Sequence, residues 1–288
     1  MFNRTFGIEI EAYNCTQAQV ATALQQAGIN AEVQSYNHST QPCWKVITDA
    51  SISGNNGFEV VSPVLQGEEG LRQVRVVMET LTNLGAKVNK SCGMHVHFGA
   101  ADLSLQHFKN LFKHYVKFED VLDAMMPQSR RDSNNNYCKS LLERFDRGNR
   151  TQSINWAFEV IDNANSLEAL YQTVTGRDRY FKLNLLSFWR HGTIEFRQHS
   201  GTVDADKACN WVLFLGTWME RAIATNPKKV TEREFTARRE WKTEFEYRFG
   251  YTLFYKLNQP SLTKFYRDRI IQLGGAHHFP AQAQRLAA

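Results

Sequence analysis

The chain has 288 residues, 42% hydrophobic and 22% charged, an ordinary globular composition with room for one large domain or two small ones. No apolar run approaches the roughly 20 residues a bilayer span needs, and the opening Met1-Phe2-Asn3-Arg4-Thr5 lacks the apolar core of a signal peptide, so a cytoplasmic protein with no membrane partner is expected. A net charge of +5 favours anionic partners, a nucleotide as readily as a nucleic acid; five cysteines, odd in number and never spaced as CxxC, speak against a disulfide framework or a zinc knuckle.

In chain order, residues 6–12 alternate strictly. A strand there sends Phe6, Ile8, Ile10 and Ala12 to one face and Glu9 and Glu11 to the other, the two carboxylates about 7 Å apart. Val20, Ala23, Leu24 and Ala27 predict a helix over 16–27, closed by Gly28. Short strands at 31–36 and 43–48 flank a polar stretch and read as a hairpin. Turn formers fill 48–57, where Asp49 and Ser51 are candidate site residues, and lead into a strand with Glu59 between Phe58 and Val60, ended by Pro63. A helix over 68–84, acidic in its first turn and stopped by Gly85, is followed by a short strand at 86–89. In the next strand, Ser91 to Gly99, Met94, Val96 and Phe98 alternate with His95 and His97.

Ser104 caps a long helix with an apolar face from Leu105 to Leu122. Pro127 then opens a polar, basic loop over 129–138, whose composition suits a loop closing over a phosphate and a solvated connection between helices equally. Helices are predicted over 139–145, 152–161 and 166–174, then a strand over 177–186 that pairs as a hairpin with a strand carrying Ile194, Glu195, Phe196 and Arg197. Asp204 starts a helix with an apolar stripe from Ala208 to Ala222. Beyond Pro227 come a highly charged helix over 228–248, an aromatic segment at 251–255 and a short helix over 261–273. We therefore divide the chain into a main domain, residues 1–225, and a charged helical extension, 226–288, packed on it.

Four strands thus carry only charged or ligand-type side chains on one face, whereas an ordinary solvent face mixes Lys, Thr, Ser and Gln. If one sheet holds all four, its carboxylates repel one another unless cations lie between them. Hard divalent ions supply that charge and keep positions open for phosphate oxygens. Carboxylates with an imidazole suit Mg²⁺ or Mn²⁺, and Arg197 on the Glu195 face is placed to meet a phosphate or carboxylate at two points.

The succession Gly7-Ile8-Glu9-Ile10-Glu11, Thr48-Asp49-Ala50-Ser51, Phe58-Glu59-Val60-Val61-Ser62-Pro63, Cys92-Gly93-Met94-His95-Val96-His97 and Thr193-Ile194-Glu195-Phe196-Arg197 resembles the amidoligase family, in motif order, over about residues 6–202. That family belongs with glutamine synthetase among the carboxylate-amine ligases. The resemblance implies an α+β fold, a mainly antiparallel, curved, glutamine synthetase-like sheet with the site on one face and helices on the other. It implies ATP and Mg²⁺ (or Mn²⁺) as cofactors, an acyl-phosphate intermediate, and a carboxylate-bearing and an amine-bearing substrate, such as a peptide or an amino acid. Residue by residue, Glu9, Glu11, Glu59, His95 and Glu195 match metal ligands, His97 the histidine that approaches the nucleotide phosphates, and Arg197 the arginine that stabilises the transferred phosphoryl group. Arg130, Arg131, Arg179 and Asn184 are looser matches to nucleotide-binding positions, and Asp49 is the candidate base for the amine.

Two alternatives stay open on the residues alone. One is a metal-dependent hydrolase using His95, His97 and a glutamate around Zn²⁺ or Mn²⁺. The other is a non-catalytic binding or assembly protein that keeps the ligase fold and grips nucleic acid with its basic loop and C-terminal helices; on the ligase reading nucleic acid is not the expected partner, and the sequence does not fix the oligomeric state.

Overall fold

A computed structural model describes residues 2–35, 37, 39–230, 243–254 and 257–279, without the side chains of Tyr251 and Thr252. The strands are β1 (Phe6–Ala12), β2 (Ala31–Val33), β3 (Trp44–Thr48), β4 (Phe58–Val61), β5 (Gly93–Gly99), β6 (Leu183–Asn184) and β7 (Thr193–Ser200). The helices are α1 (Gln17–Gln26), α2 (Gly67–Asn83), α3 (Leu105–Ala124), α4 (Arg150–Asp162), α5 (Leu167–Thr175), α6 (Leu186–His191), α7 (Ala205–Ala224) and α8 (Pro260–Ile270). The chain forms two compact units, Met1–Asp102 with Leu183–Thr217, and Leu103–Lys182 with Trp218–Ala288.

The first unit is built on one seven-stranded sheet in the order β2-β3-β4-β1-β5-β7-β6. Its pairings are antiparallel except between β2 and β3. Period-two alternation decides its two faces. Phe6, Ile8, Ile10, Met94, Val96, Phe98, Ile194 and Phe196 are all buried on one of them. Phe2 packs edge-on against Phe6 and Phe98 there. On α2, Gly70 lets the helix approach the sheet: a Cβ at this position would lie 3.0 Å from the Phe6 ring and from Leu65. On α7, Trp211 meets His199 at 5.5 Å between ring centres. Side-chain caps start the helices where the sequence predicts: Thr16 for α1, Ser104 for α3, Ser166 for α5, and Asp204, whose Oδ1 accepts from Lys207 N at 3.0 Å, for α7.

Several expected elements differ. The two short strands do not form a hairpin: Ala31 pairs with Trp44 and Val33 with Val46 in parallel. The ten residues between them are long enough to carry the chain back to the start of β2, and the Lys45 ammonium ties that connection down through the Asn37 and Ser39 carbonyls at 2.9 and 3.0 Å. The strand expected at 86–89 is a single bridge between Lys87 and Tyr13. The strand expected at 177–186 shrinks to β6, and α6 replaces the tight turn, although β6 and β7 do pair antiparallel as predicted.

In the second unit, α3 packs with α4 and α5. No helix forms over 139–145 beyond the 3-10 turn Glu143–Phe145, because the backbone donors are drawn elsewhere. Lys139 N bonds Tyr180 O at 2.8 Å, Ser140 N bonds Ser133 Oγ at 3.1 Å, and Leu142 N bonds Glu119 Oε2 at 2.8 Å. Buried beneath them, the Lys182 ammonium donates to Glu119 at 2.8 Å and to both oxygens of Asp123 at 2.6 and 2.8 Å. The charged helix expected over 228–248 falls largely on residues 231–242, outside the described residues. No helix among the described residues is long and apolar enough to cross a membrane.

Candidate active site

Cross-strand register puts the ligand-type residues side by side on the second sheet face. Glu11 faces Glu59, Glu9 faces His95, His97 faces Glu195, and Glu195 faces Asn184. The ladder between β5 and β7 shifts between Met94 and Val96, so that Val96 faces Phe196 while Met94 faces His199. This bulge gives β7 an extra residue beside His95. It keeps Glu195 opposite His97 and still returns His199 to the apolar face.

At the centre, Glu9 Oε2 lies 2.9 Å from His95 Nδ1, and Glu195 Oε1 lies 3.4 Å from the same nitrogen. One ligand atom from each of Glu9, His95 and Glu195 falls within 4.8 Å of the others. His97 Nε2 sits 3.3 Å from Glu9 Oε1 and 3.9 Å from Glu195 Oε1, and its Nδ1 is 3.0 Å from Thr193 Oγ1. Glu11 accepts from Gly93 N at 2.6 Å and lies 3.8 Å from His95 Nε2. Glu195 is gripped from two sides, by Asn184 Nδ2 at 2.6 Å and by the Arg197 guanidinium.

The electrostatics follow from this crowding. Burial works to raise the Glu9 carboxyl, but the imidazoles of His95 and His97 hold it well below the usual glutamate range. For Glu195 too, burial is overcome, here by Arg197, His97 and His95, and its pKa is lowered. His97 is raised against burial by the Glu9 and Glu195 carboxylates. Glu59 has no such partner of equal strength: burial and the charges of Glu9, Glu11 and Asp49 push it well above the normal range, with Lys45 pulling the other way. Two carboxylates and an imidazole converging on one small volume are a donor set that fits a hard divalent ion, Mg²⁺ or Mn²⁺.

Of the residues singled out in the sequence, Glu9, Glu11, Glu59, His95, His97, Glu195, Arg197 and Asn184 are brought together on this face. Asp49 lies just beyond β3, where its Oδ1 accepts from Ser51 N at 2.8 Å and its charge bears on Glu59. Arg130, Arg131 and Arg179 belong to the second unit. There Arg130 is buried, Arg131 donates to Met126 O at 2.8 Å and Leu273 O at 3.3 Å, and Arg179 reaches the Tyr180 hydroxyl at 3.2 Å. Sequence reasoning missed Thr193, the neighbour of His97, and Lys45, which the register of Ile47 with Glu59 puts on the same face. The signal for Lys45 was present but faint, a charge between Trp44 and Val46 in an otherwise apolar strand.

A family model described as "Putative amidoligase enzyme" matches residues 2–219. The chain belongs to the amidoligase family. The match takes in every strand of the sheet and the whole of the polar face, and it implies an amide-bond ligase with a carboxylate and an amine as substrates. No curated protein matches the chain.

Proposed function

We propose that this amidoligase is an ATP-dependent carboxylate-amine ligase that works through an acyl phosphate with divalent metals. The observation that carries the reading is the convergence of Glu9, His95 and Glu195 within 4.8 Å, with Arg197 on Glu195, inside the segment the family model matches. A carboxylate resists attack by an amine because of its negative charge and its oxide leaving group. Transfer of the γ-phosphoryl group to the carboxylate oxygen, with ADP leaving, removes both obstacles. The amine then attacks the carbonyl carbon, phosphate departs, and the amide nitrogen loses a proton.

In this reading Glu9, His95 and Glu195 hold one Mg²⁺ or Mn²⁺, and Glu11 and Glu59 extend the ligand set. Bound there, the metal supplies positive charge to the phosphate oxygens. Arg197 meets the transferring phosphoryl group, and Asn184 and Arg197 together fix the orientation of Glu195. His97 faces the nucleotide phosphates with its ring set by Thr193. Asp49 is assigned to the proton the amine sheds.

The test is equilibrium binding of a non-hydrolysable ATP analogue to the wild type and to Glu195→Gln, with Mg²⁺, with Mn²⁺ and with chelator. Binding that needs the metal and is weakened at least about tenfold by the substitution is expected. Absence of binding under every metal condition would overturn the reading and favour a metal-dependent hydrolase or a binding protein.

A further inference from the structure

A third imidazole stands beside the two on β5. His191, the last residue of α6, is exposed, and its ring meets the His97 ring edge-on at 6.3 Å between centres. The three histidines step outward from the centre of the site: the His95 side chain is 7% exposed and that of His97 14%, whereas His191 lies at the surface. The short helix that carries it is tied to the site at both ends. At its start, Leu186 N donates to Asn184 Oδ1 at 2.9 Å, and the Nδ2 of the same amide grips Glu195 at 2.6 Å. At its end, Gly192 closes the helix in the left-handed conformation, φ 66°, and its carbonyl accepts from Ala100 N at 2.8 Å, one residue past β5. The buried Ser187 hydroxyl donates to Thr193 O at 2.8 Å, next to the Thr193 side chain that contacts His97. His191 is thus carried on pinned backbone, not on a loose turn.

We propose that His191 binds the phosphate chain of the nucleotide, donating an imidazole N–H to a phosphate further from the metal than the one His97 meets. The inference rests on the ligase reading and adds the direction in which the nucleotide leaves the metal centre. Two ways lead out from Glu9, His95 and Glu195. Toward β4, Glu11 and Glu59 face one another, and their carboxylates repel a phosphate. Along β5 the groups are His97, Thr193 and His191, which offer ring nitrogens and a hydroxyl and bring no negative charge. A polyanion is turned away from the first and received by the second. A neutral imidazole already carries one N–H donor, so the contact needs no charge on the ring. As the exposed member of the three, His191 is also the first that an arriving phosphate reaches.

The experiment is calorimetric titration of the full chain, as wild type, His191→Ala and His191→Gln. Each protein is titrated with Mn²⁺ alone and then, in saturating Mn²⁺, with a non-hydrolysable ATP analogue and with inorganic tripolyphosphate. His191→Ala binds both anions about tenfold more weakly, the factor for one hydrogen bond to a charged group, while its Mn²⁺ affinity stays within about twofold of wild type. His191→Gln recovers most of the loss, because its amide nitrogen keeps a donor there. Unchanged affinity for both anions in His191→Ala would overturn the inference, and so would a glutamine variant as weak as the alanine one. Weaker binding of the ATP analogue with tripolyphosphate unaffected would put His191 against the base or the ribose, not the phosphates. An equal loss of Mn²⁺ affinity would make it a support of the metal centre and overturn the phosphate contact. Failure of wild type to bind the ATP analogue would sink the ligase reading and this inference together, whereas wild-type binding that the substitutions leave alone sinks this inference only.

Discussion

Glu11 and Glu59 face one another directly across the antiparallel pair β1 and β4, a like-charge juxtaposition that a sheet ordinarily avoids. Such a pair costs about 1 kcal/mol when both groups are ionised. Glu59 carries most of the burden: burial and its acidic neighbours raise it well above its ordinary value. For an acid raised in the folded state, stability is full below the unfolded-state pKa, near 4.3, and is lost as pH rises toward the folded value. Glu59→Gln is therefore expected to stabilise the metal-free protein at neutral pH, by about 2 °C or more in melting temperature. The gain should shrink as pH falls through the ordinary glutamate range. Thermal melts of both proteins with chelator, from acidic to neutral pH, check this; a difference that is flat with pH would show that Glu59 is not the strained group. Saturating Mn²⁺ should erase the advantage, because the ligand loses one of its anionic partners.

His97 offers a finer test of the site. Its Nδ1 lies 3.0 Å from Thr193 Oγ1, a contact that fixes which ring nitrogen turns toward Glu9 and Glu195. Partners of this kind are worth about tenfold or more in the affinity of a metal centre. Thr193→Val keeps the shape of a β-branched strand residue and removes only the hydroxyl. We expect it to weaken Mn²⁺-dependent binding of the ATP analogue about tenfold with no loss of melting temperature. Calorimetric titration with Mn²⁺ present measures it, and unchanged affinity would take His97 out of the nucleotide site.

Glu9, Glu11, His95 and His97 were legible in the sequence because a strand's period of two sorts its faces without help from the rest of the fold. Each imposes a ligand residue where a core strand would place an apolar one. Glu195 and Arg197 were legible for the same reason, although the bulge that keeps Glu195 opposite His97 was not. What escaped depends on long-range partners. The parallel pairing of β2 with β3 is set by where the ten-residue connection runs, and Lys45 gains its meaning only from that connection. The stretch 139–145 has the composition of a helix, but its backbone donors are claimed by Tyr180, Ser133 and Glu119, none of which is near it in sequence except Ser133. Nothing in the sequence marks Glu119 and Asp123, four residues apart on α3, as a buried pair; the Lys182 ammonium between them does.

That Lys182 cluster predicts where the second unit is vulnerable. The ammonium is fully buried and serves both carboxylates, while Glu119 and Asp123 also accept from the backbone of Leu142 and Asp132 at 2.8 Å. Lys182→Met keeps the stem's packing and strands two buried acids against each other. The expected loss is about 3–5 kcal/mol of unfolding free energy, measured by urea denaturation. Adding Glu119→Gln and Asp123→Asn to Lys182→Met should recover part of it, since the uncompensated charge is what costs. A loss confined to a few tenths of a kcal/mol would mean water reaches the cluster.

Arg197 is the residue on which chemistry and structure separate most cleanly. Its guanidinium engages Glu195, and its planar array of donors can hold Glu195 and a phosphoryl oxygen at once. Lysine keeps the charge and loses the second point of contact. If Arg197 serves the moving phosphoryl group, Arg197→Lys lowers kcat at least about tenfold, the equivalent of 1.4 kcal/mol of transition-state stabilisation, and leaves Mn²⁺ binding and melting temperature near wild type. If it serves only to orient Glu195, the same substitution weakens Mn²⁺ binding in proportion to the loss of turnover. Initial rates of ADP release beside Mn²⁺ titrations on the same preparations distinguish the two. The proposed role requires the rate to fall while the metal affinity holds.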